Sequence, residues 1–169
     1  ESSQHFIVNK RGDDKVARKL LFTAPFLRFW FAFVSPIYKG IKDKDYKEFY
    51  TLFENKEAEF GNFIFEELAM ELLIDLFKED PLKNFGKYWD EKINIDLLAK
   101  TTSGKILVGS CKYINSKIKK NELNNLKEDA SSINLNPDIF VIFSKNGFSN
   151  ELKTQKSDSI KLFTPKSFK

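Results

Sequence analysis

Residues 93–113 read INIDLLAKTTSGKILVGSCKY, and this stretch decides the predicted fold. Two apolar runs, 93–99 and 105–113, flank the segment Thr101-Thr102-Ser103-Gly104, whose residue types favour a turn. Runs of this length on either side of a short turn are typical of a β-hairpin. The hairpin therefore forms the centre of the predicted fold.

Other patterns surround this hairpin. They predict a strong helix, a short strand, a polar helix, a near-continuous apolar strand and a final edge strand, over 62–77, 85–89, 121–133, 138–144 and 160–163. The resulting order, α-β-β-β-α-β, brings the last core strand back through a crossover helix. Such an order predicts an α/β fold with a mixed sheet and helices on both faces.

The N-terminal part of the chain differs in character. Residues 1–24 predict a β-hairpin around the turn-like stretch 10–14. Residues 25–60 predict two aromatic helices that pack on the core, the first ending at Ser35-Pro36 and the second covering 43–60. The remaining residues, 61–169, form the predicted α/β core.

Composition excludes several classes of protein. The chain has one Cys and one His, so an internal disulfide, a zinc cluster of cysteines and any site that needs two histidines are ruled out. The lone Cys also favours the cytoplasm. The apolar run over 27–38 is interrupted by Arg28 and falls short of the roughly 20 residues that a membrane span requires, so we expect no membrane partner.

The predicted helix over 62–77 carries one acid on its apolar stripe. Glu66 recurs at helical spacing with the stripe residues Phe63, Met70, Leu73 and Phe77. A carboxylate buried there must be paired, protonated or bound to a metal, because burial of a lone charge is costly. The alternative is a small tilt of the helix that lets Glu66 reach water at the sheet edge.

Two polar residues of the central hairpin also stand out. Alternation with a period of two puts Asp96 on the face opposite Ile95 and Leu97, in a strand interior that disfavours Asp. Lys112, on the second strand, shares a face with Ser110. A Lys beside an Asp on the paired strand can position a nucleophilic water and counter a developing negative charge. The alternatives are a cross-strand Lys partner for Asp96 and a Lys112 that extends into water.

The order of Glu66, Asp96 and Lys112 resembles that of the PD-(D/E)XK nuclease superfamily. More narrowly, about residues 21–148 resemble the uncharacterised C-terminal domain of archaeal-type AAA+ ATPases. The motifs that carry the resemblance are FTAPFLRFWF (22–31), FEE (65–67), YWD (88–90), IDLLA (95–99), GSCKY (109–113) and FSKNGF (143–148). The resemblance implies a restriction-endonuclease-like core and a partnership with an ATPase module, fused or separate. No glycine-rich phosphate loop is present in the sequence, so we expect no ATP site in this chain.

The resemblance also implies a catalytic set and a metal. Glu66, Asp96 and the backbone carbonyl of Cys111 would hold Mg²⁺ or Mn²⁺, and Lys112 would act beside them. The sequence departs from the family pattern at Ser110 and Asn94, where acids are usual. Serine is a neutral, poor ligand for a hard cation. We therefore expect weak metal binding and impaired hydrolysis, and we interpret the Cys111 side chain as a small core residue.

Two groups of basic residues are candidate contacts to nucleic acid. Lys10 and Arg11 lie in the N-terminal hairpin, which the resemblance interprets as the remains of a winged-helix wing. Lys117, Lys119 and Lys120 follow the second strand of the central hairpin. Such residues supply phosphate contacts without reading bases. The net charge of +4 is by itself weak evidence for nucleic-acid binding, and the alternative is an ordinary solvated surface.

These observations support three functional hypotheses. The first is a nuclease-like domain with a degenerate active site that binds DNA, another nucleic acid or a protein partner in association with an ATPase module. The second is an active Mg²⁺-dependent nuclease that tolerates Ser110. The third is an interaction module of an ATPase with no role in nucleic-acid binding. The sequence leaves the oligomeric state open.

Overall fold

The computed structural model describes residues 6–7, 22, 24–90 and 92–168. The predicted N-terminal hairpin, with Lys10 and Arg11, falls largely outside these residues. Within them, six strands form one sheet in sequential order. They are β1 (Phe6–Ile7), β2 (Leu82–Trp89), β3 (Asn94–Thr101), β4 (Ile106–Lys112), β5 (Ile139–Ser144) and β6 (Ile160–Phe163).

Strand directions make the sheet mixed. The three central strands β2, β3 and β4 form an antiparallel meander, as the central hairpin predicted. The outer pairs, β1 with β2, β4 with β5 and β5 with β6, are parallel. Each parallel pair needs a crossover, and the crossover from β4 to β5 is a helix. The predicted α/β fold with a mixed sheet is confirmed.

Helices of very different lengths accompany the sheet. They are α1 (Pro25–Phe29), a π-helical turn (Trp30–Val34), a 3-10 turn (Ser35–Ile37), α2 (Tyr38–Lys42), α3 (Lys47–Leu76), α4 (Lys120–Ser132), α5 (Asn150–Lys153) and a last 3-10 turn (Pro165–Ser167). The order α3-β2-β3-β4-α4-β5 is the predicted α-β-β-β-α-β core. None of the helices in the described part of the chain has the length and apolar character of a membrane span.

The two long helices bury opposite faces of the sheet. On one face, buried residues of α3 meet the strands in a cluster that includes Phe65, Ala69, Leu73, Leu107, Val141 and Phe143. On the other face, α4 contributes to a second cluster that includes Val108, Leu123, Leu126, Ala130 and Ile142. Because each face is covered, β4 and β5 are apolar almost throughout, as expected for strands buried on both sides.

The two helices predicted over 43–60 and 62–77 are one continuous helix, and that prediction was wrong. Gly61, which separates the two predicted ranges, lies inside the 30-residue α3. A Cβ atom at this position would overlap the ring of Tyr113, which follows β4. A glycine, which has no Cβ atom, therefore allows the helix to approach the Tyr113 ring this closely. The predicted boundary at residue 60 falls within α3.

The aromatic segment before α3 also continues further than predicted. Ser35-Pro36 was expected to end the first helix, but the chain passes through a 3-10 turn into α2. Proline is tolerated here because it lies in the first turn, where its missing N–H has no helical partner. The fully buried Phe33 anchors the segment, with its ring 5.3 Å from Phe53 and 5.1 Å from Phe60 of α3.

Strand β3 contains a bulge that the alternating pattern did not reveal. Between the pairs Gly86–Leu98 and Tyr88–Ile95, β3 contributes one residue more than β2. Alternation therefore breaks near Asp96: Leu97 and Ala99 face α3, whereas Ile95 packs in the cluster on the α4 side. The prediction that Ile95 and Leu97 share a face was wrong, since an inserted residue reverses the faces that follow it.

Substitution of Gly61 tests the contact between α3 and Tyr113. Alanine is the better helix former by about 1 kcal/mol, so propensity alone predicts that Gly61→Ala stabilises the protein. The overlap with the Tyr113 ring should reverse that sign and lower the free energy of unfolding by about 1–2 kcal/mol, as overpacking does. Urea unfolding of both chains measures the difference.

The control is the same substitution in a Tyr113→Ala background. Without the ring, Gly61→Ala should stabilise by the amount that helix propensity predicts. Stabilisation of the parent chain by Gly61→Ala would contradict the proposed role of the close contact.

Candidate functional site

Asp96 is the centre of the polar cluster on the sheet. Its side chain is 6% exposed, and its Oδ2 accepts a hydrogen bond of 2.9 Å from the backbone N–H of Cys111. The same oxygen lies 3.5 Å from Ser110 Oγ, and Oδ1 accepts from the Asn94 side chain at 2.8 Å. The bulge in β3 turns Asp96 toward β4, so the buried carboxylate is held by the neighbouring strand.

Glu66 is buried as its place on the apolar stripe predicted, at 8% exposure. Lys87 of β2 donates to one carboxylate oxygen, and Asn62 donates to the other at 2.6 Å. Burial raises the pKa of Glu66, and the charge of Asp96 raises it further, whereas Lys87 and Asn62 lower it. Of the outcomes expected for a buried Glu66, the structure shows pairing, and the partner is Lys87, a residue that the sequence analysis did not single out.

Lys112 lies on the α4 side of β4 and pairs with Glu122, with Nζ 3.2 Å from Oε1. Burial acts against its charge, but the negative charges of Glu122 and Asp96 outweigh burial, so the pKa of Lys112 is raised. Ser110, on the same face, donates a 2.5 Å hydrogen bond to Glu122. The Lys112 side chain is therefore a cation held near two acids, Asp96 of β3 and Glu122 of α4.

The predicted catalytic residues are brought together only in part. Glu66 and Asp96 line one cavity between α3 and β2, together with Lys87. Lys112 does not line that cavity, although its pKa responds to the charge of Asp96. Asp96 is the link between the two halves, because it lies near Glu66 on one side and contacts Ser110 on the other.

The implied metal fits these residues poorly. Among the described residues, no group of three His, Cys, Asp or Glu side chains is placed to hold a metal ion. Asp96 and Glu122 reach the same Ser110 hydroxyl, so two carboxylates and a neutral oxygen converge, while Glu66 is held by Lys87. Firm Mg²⁺ binding usually requires more charged oxygen ligands than these. Asp96, Glu122 and Ser110 therefore suit a loosely held cation at most.

The Cys111 side chain is a core residue, as interpreted from the sequence. It is 1% exposed within the cluster on the α3 side. Burial raises the pKa of the thiol well above its ordinary value, and the charges of Asp96 and Glu66 add to the effect. A thiol held protonated in this way is a poor nucleophile.

Sequence reasoning missed Glu122 as well as Lys87. Glu122 is an acid in the first turn of a polar helix, where a solvated residue is the ordinary interpretation. The position of this helix in the chain order could have identified Glu122 as a site residue. The N-terminal turn of a helix that follows β4 directly lies beside the end of that strand, so its acid can approach Ser110 and Lys112.

The basic residues after β4 form an edge with the end of β5. Lys117 and Lys119 are exposed, and Lys120 lies 3.4 Å from Glu151. The bridge between Ile118 and Phe148 brings the chain after β4 beside the chain after β5. Lys145 lies there with its Nζ 4.0 Å from the centroid of the Tyr113 ring. We call this set the basic edge; its members are Lys112, Lys117, Lys119, Lys120 and Lys145.

Replacement of Glu66 by glutamine should remove a pH-dependent loss of stability. The pKa of Glu66 is raised in the folded chain above its ordinary value of 4.5, so the native state binds this proton more tightly than the unfolded state. The free energy of unfolding of the parent therefore falls as pH rises from 4.5 through the raised pKa, and Glu66→Gln lacks this fall. The difference should grow in favour of the variant across that window and stay constant below it.

Urea unfolding between about pH 4 and pH 7 measures this difference. Glu71→Gln, which removes an exposed acid of the same helix, is the matched control for the change from Glu to Gln on α3. A difference between parent and Glu66→Gln that moves in favour of the parent as pH rises would contradict the account of Glu66.

Comparison with solved structures finds three weak similarities. A protein of unknown function, AF1548, matches with 18% identity and a TM-score of 0.41 over 59% of this chain and 57% of its own. A repair endonuclease from Pyrococcus abyssi matches with 16% identity and a TM-score of 0.40 over 64% and 46%. An EndoMS–dsDNA complex matches with 14% identity and a TM-score of 0.36 over 59% and 43%.

The chain thus spans about half the length of the solved structures it matches. A comparison with curated proteins gives no match. Residues 30–126, more than half of the chain, match the family DUF234, described as archaeal and bacterial proteins of unknown function. This match includes α3, the β2–β3–β4 meander, Glu66, Asp96, Lys112 and Glu122. The chain belongs to the DUF234 family.

Proposed function

We propose that the chain is a nuclease-like domain with a degenerate active site, which binds nucleic acid through the basic edge and works with an ATPase module. The observation that carries the proposal is the state of the site acids. Glu66 is paired with Lys87 and Glu122 with Lys112, so lysines occupy the surroundings in which an active site of the implied type would need metal ligands. Ser110 adds a neutral hydroxyl between them.

The basic edge supports the nucleic-acid part of the proposal. Its lysines lie at the end of β4, at the start of α4 and in the segments that follow β4 and β5, two adjacent parallel strands, and we expect them to contact a phosphate backbone together. Lys112 and Lys145 are tied by a 3.1 Å backbone hydrogen bond, and Lys117 and Lys119 extend the same edge toward α4. Lysines placed in this way supply a binding term that is independent of sequence and sensitive to salt.

The ATPase module enters the proposal from the family resemblance. The aromatic block 22–31 is its most specific motif, and part of it remains at the surface. Phe26 is 67% exposed and Phe31 is 50% exposed, whereas Phe33 anchors the segment on α3. Exposed aromatic residues on an anchored segment suit contact with another protein module.

A second candidate function, metal-dependent phosphodiester hydrolysis, is favoured by one contact. Glu122 Oε1 lies 2.5 Å from the hydroxyl of Ser110, at the position where the resemblance implies an acid. Asp96 is near the same hydroxyl, so Glu122 could supply from α4 the carboxylate that β4 lacks. In that case Asp96, Glu122 and the backbone carbonyl of Cys111 would hold Mg²⁺, which supplies the charge stabilisation needed for hydrolysis.

Binding of duplex DNA tests the basic edge. The affinity should fall steeply with salt, by a log–log slope of several units, because each phosphate contact releases counterions. Lys117→Glu combined with Lys119→Glu should weaken binding for all sequences alike and reduce the slope by about two. Fluorescence anisotropy over a salt series gives both quantities.

The matched control is Lys39→Glu combined with Lys42→Glu, which makes the same charge change on α2. This control should bind nearly as the parent does. An affinity of the parent that stays flat from low to physiological salt would remove nucleic acid from the proposed function.

Metal binding separates the degenerate site from the active nuclease. The parent should bind Mn²⁺ weakly in calorimetry and leave plasmid DNA intact. Ser110→Glu adds a third carboxylate beside Asp96 and Glu122, so it should tighten Mn²⁺ binding by at least about tenfold. Asp96→Asn in that background should cancel the gain.

Glu122→Gln decides the second candidate, with Glu128→Gln as a control on the exposed part of α4. Cleavage by the parent that is lost in Glu122→Gln and kept in Glu128→Gln would replace the degenerate site with an active nuclease. Absence of cleavage in the parent, Glu122→Gln and Glu128→Gln agrees with the first proposal.

A further inference from the structure

One carboxylate oxygen of Glu122 lies against two donors at the end of β4. Its Oε1 is 2.5 Å from Ser110 Oγ and 3.2 Å from Lys112 Nζ. A hydroxyl and an ammonium group that converge on one anionic oxygen are the donors with which Ser and Lys side chains hold phosphate oxygens. Glu122 therefore occupies, with a group of the chain itself, a position that suits an anion.

Ser110 and Lys112 present these donors together because they lie two residues apart on β4, and alternate residues of a strand share a face. Both contact Glu122 in the first turn of α4. Ser110 is 4% exposed, whereas the side chains of Lys112 and Glu122 are 36% and 24% exposed. The cluster is thus open to solvent at Lys112 and Glu122, and Ser110 lies at its closed end.

The acids nearby restrict the charge of a group that could replace Glu122. Asp96 Oδ2 is 3.5 Å from Ser110 Oγ. Asp129 is also near, since burial raises its pKa and the charge of Glu122 raises it further. Both acids already face one negative charge, that of Glu122. A phosphodiester carries one negative charge as well, so its exchange for Glu122 leaves the local charge unchanged, whereas a phosphate monoester would bring about two.

Other lysines of the basic edge are held less firmly. Lys117 and Lys119 are exposed and form no salt bridge with any residue in the described ranges. Lys120 pairs with Glu151, but the Glu151 side chain is 66% exposed, and ion pairs so open to water contribute little. Lys112 differs because its acid is partly buried and has a second donor.

We infer that Ser110 and Lys112 form a subsite for a phosphodiester oxygen of nucleic acid, and that Glu122 closes this subsite in the free chain. The inference rests on the proposed function and describes how the basic edge is regulated. Bound nucleic acid exchanges one backbone phosphate for Glu122, whose carboxylate turns to water. Lys112 therefore adds to the affinity only to the extent that Glu122 is displaced.

A double-mutant cycle on the binding of duplex DNA tests the inference, with fluorescence anisotropy over a salt series. Glu122→Gln keeps the shape of the side chain and removes its charge. It should tighten binding about fivefold and raise the salt slope by about one, as one further phosphate contact does. Lys112→Gln should weaken binding about fivefold more in the Glu122→Gln background than in the parent, because only there is Lys112 fully free to contact a phosphate.

Two controls make the same change from Glu to Gln. Glu128→Gln alters the exposed part of α4, and Glu151→Gln removes the exposed partner of Lys120. Each should change the affinity by less than about twofold, since exposed charges are screened by solvent. If Glu128→Gln gains as much as Glu122→Gln, or if the effects in the cycle are additive, long-range charge alone acts. Either result overturns the inference and leaves the proposed function intact.

The unmodified chain provides a second measurement if Glu122→Gln does not fold. The carboxyl carbon of Glu122 should shift its NMR signal when duplex DNA binds, because the contacts with Ser110 and Lys112 are lost. The signal of Glu128 should stay in place. An unchanged Glu122 signal with DNA bound overturns the inference alone. No binding of DNA by the parent or by any variant overturns the proposed function as well.

Discussion

The hydrogen bond from the Cys111 N–H to the Asp96 carboxylate is the interaction on which the rest of the site depends. Backbone pairing between β3 and β4 extends only to Leu97 opposite Gly109. Beyond that point the bulge takes the β3 backbone out of register, and the Cys111 N–H would lack its partner in the sheet. The Asp96 side chain supplies it, so a buried acid completes the sheet and is fixed next to Ser110 and the cavity. Loss of that carboxylate would leave a buried donor unsatisfied, which costs about 1–3 kcal/mol.

Two acids near Asp96, Glu66 and Glu122, are each neutralised by a lysine. Burial of an unpaired acid costs free energy. In both cases the lysine that pairs with the acid comes from a different element of the fold. Lys87 of β2 serves Glu66 of α3, and Lys112 of β4 serves Glu122 of α4. These pairs fasten helices to strands on both faces of the sheet. The arrangement also limits chemistry, because each acid already has a partner that any incoming cation must displace.

Much of this arrangement follows from local sequence patterns. The hairpin of β3 and β4, the buried strand β5 and the burial of Glu66 were predicted, because each leaves a periodic or apolar signature within a few residues. The continuity of α3 through Gly61 could not be predicted, since the reason lies in the ring of Tyr113, far away in the sequence. The faces of β3 were misassigned for a similar reason: an inserted residue leaves no mark on composition.

The site residues also divide into those that sequence patterns could identify and those that they could not. Asp96 was recognised because Asp is unusual inside a strand, and Glu66 because it interrupts an apolar stripe. Lys87 and Glu122 belong to stretches in which charged residues are ordinary, so only the packing of β2 on α3 and of α4 on β4 gives them partners. The pairing of Lys112 with Glu122, away from Glu66, is likewise a property of the sheet faces. Sequence patterns identified Glu66 and Lys112, whereas their partners Lys87 and Glu122 are known only from the tertiary structure.

The continuity of α3 has a consequence for how this family can change over time. One end of the helix holds Phe53 and Phe60 against the aromatic segment, and the next turns hold Glu66 against Lys87. Each residue inserted or deleted between Phe60 and Glu66 would rotate one end relative to the other by about 100°. Both sets of contacts could not survive that rotation. The number of residues between Phe60 and Glu66 is therefore constrained. The aromatic segment and the part of α3 that carries Glu66 must be inherited together.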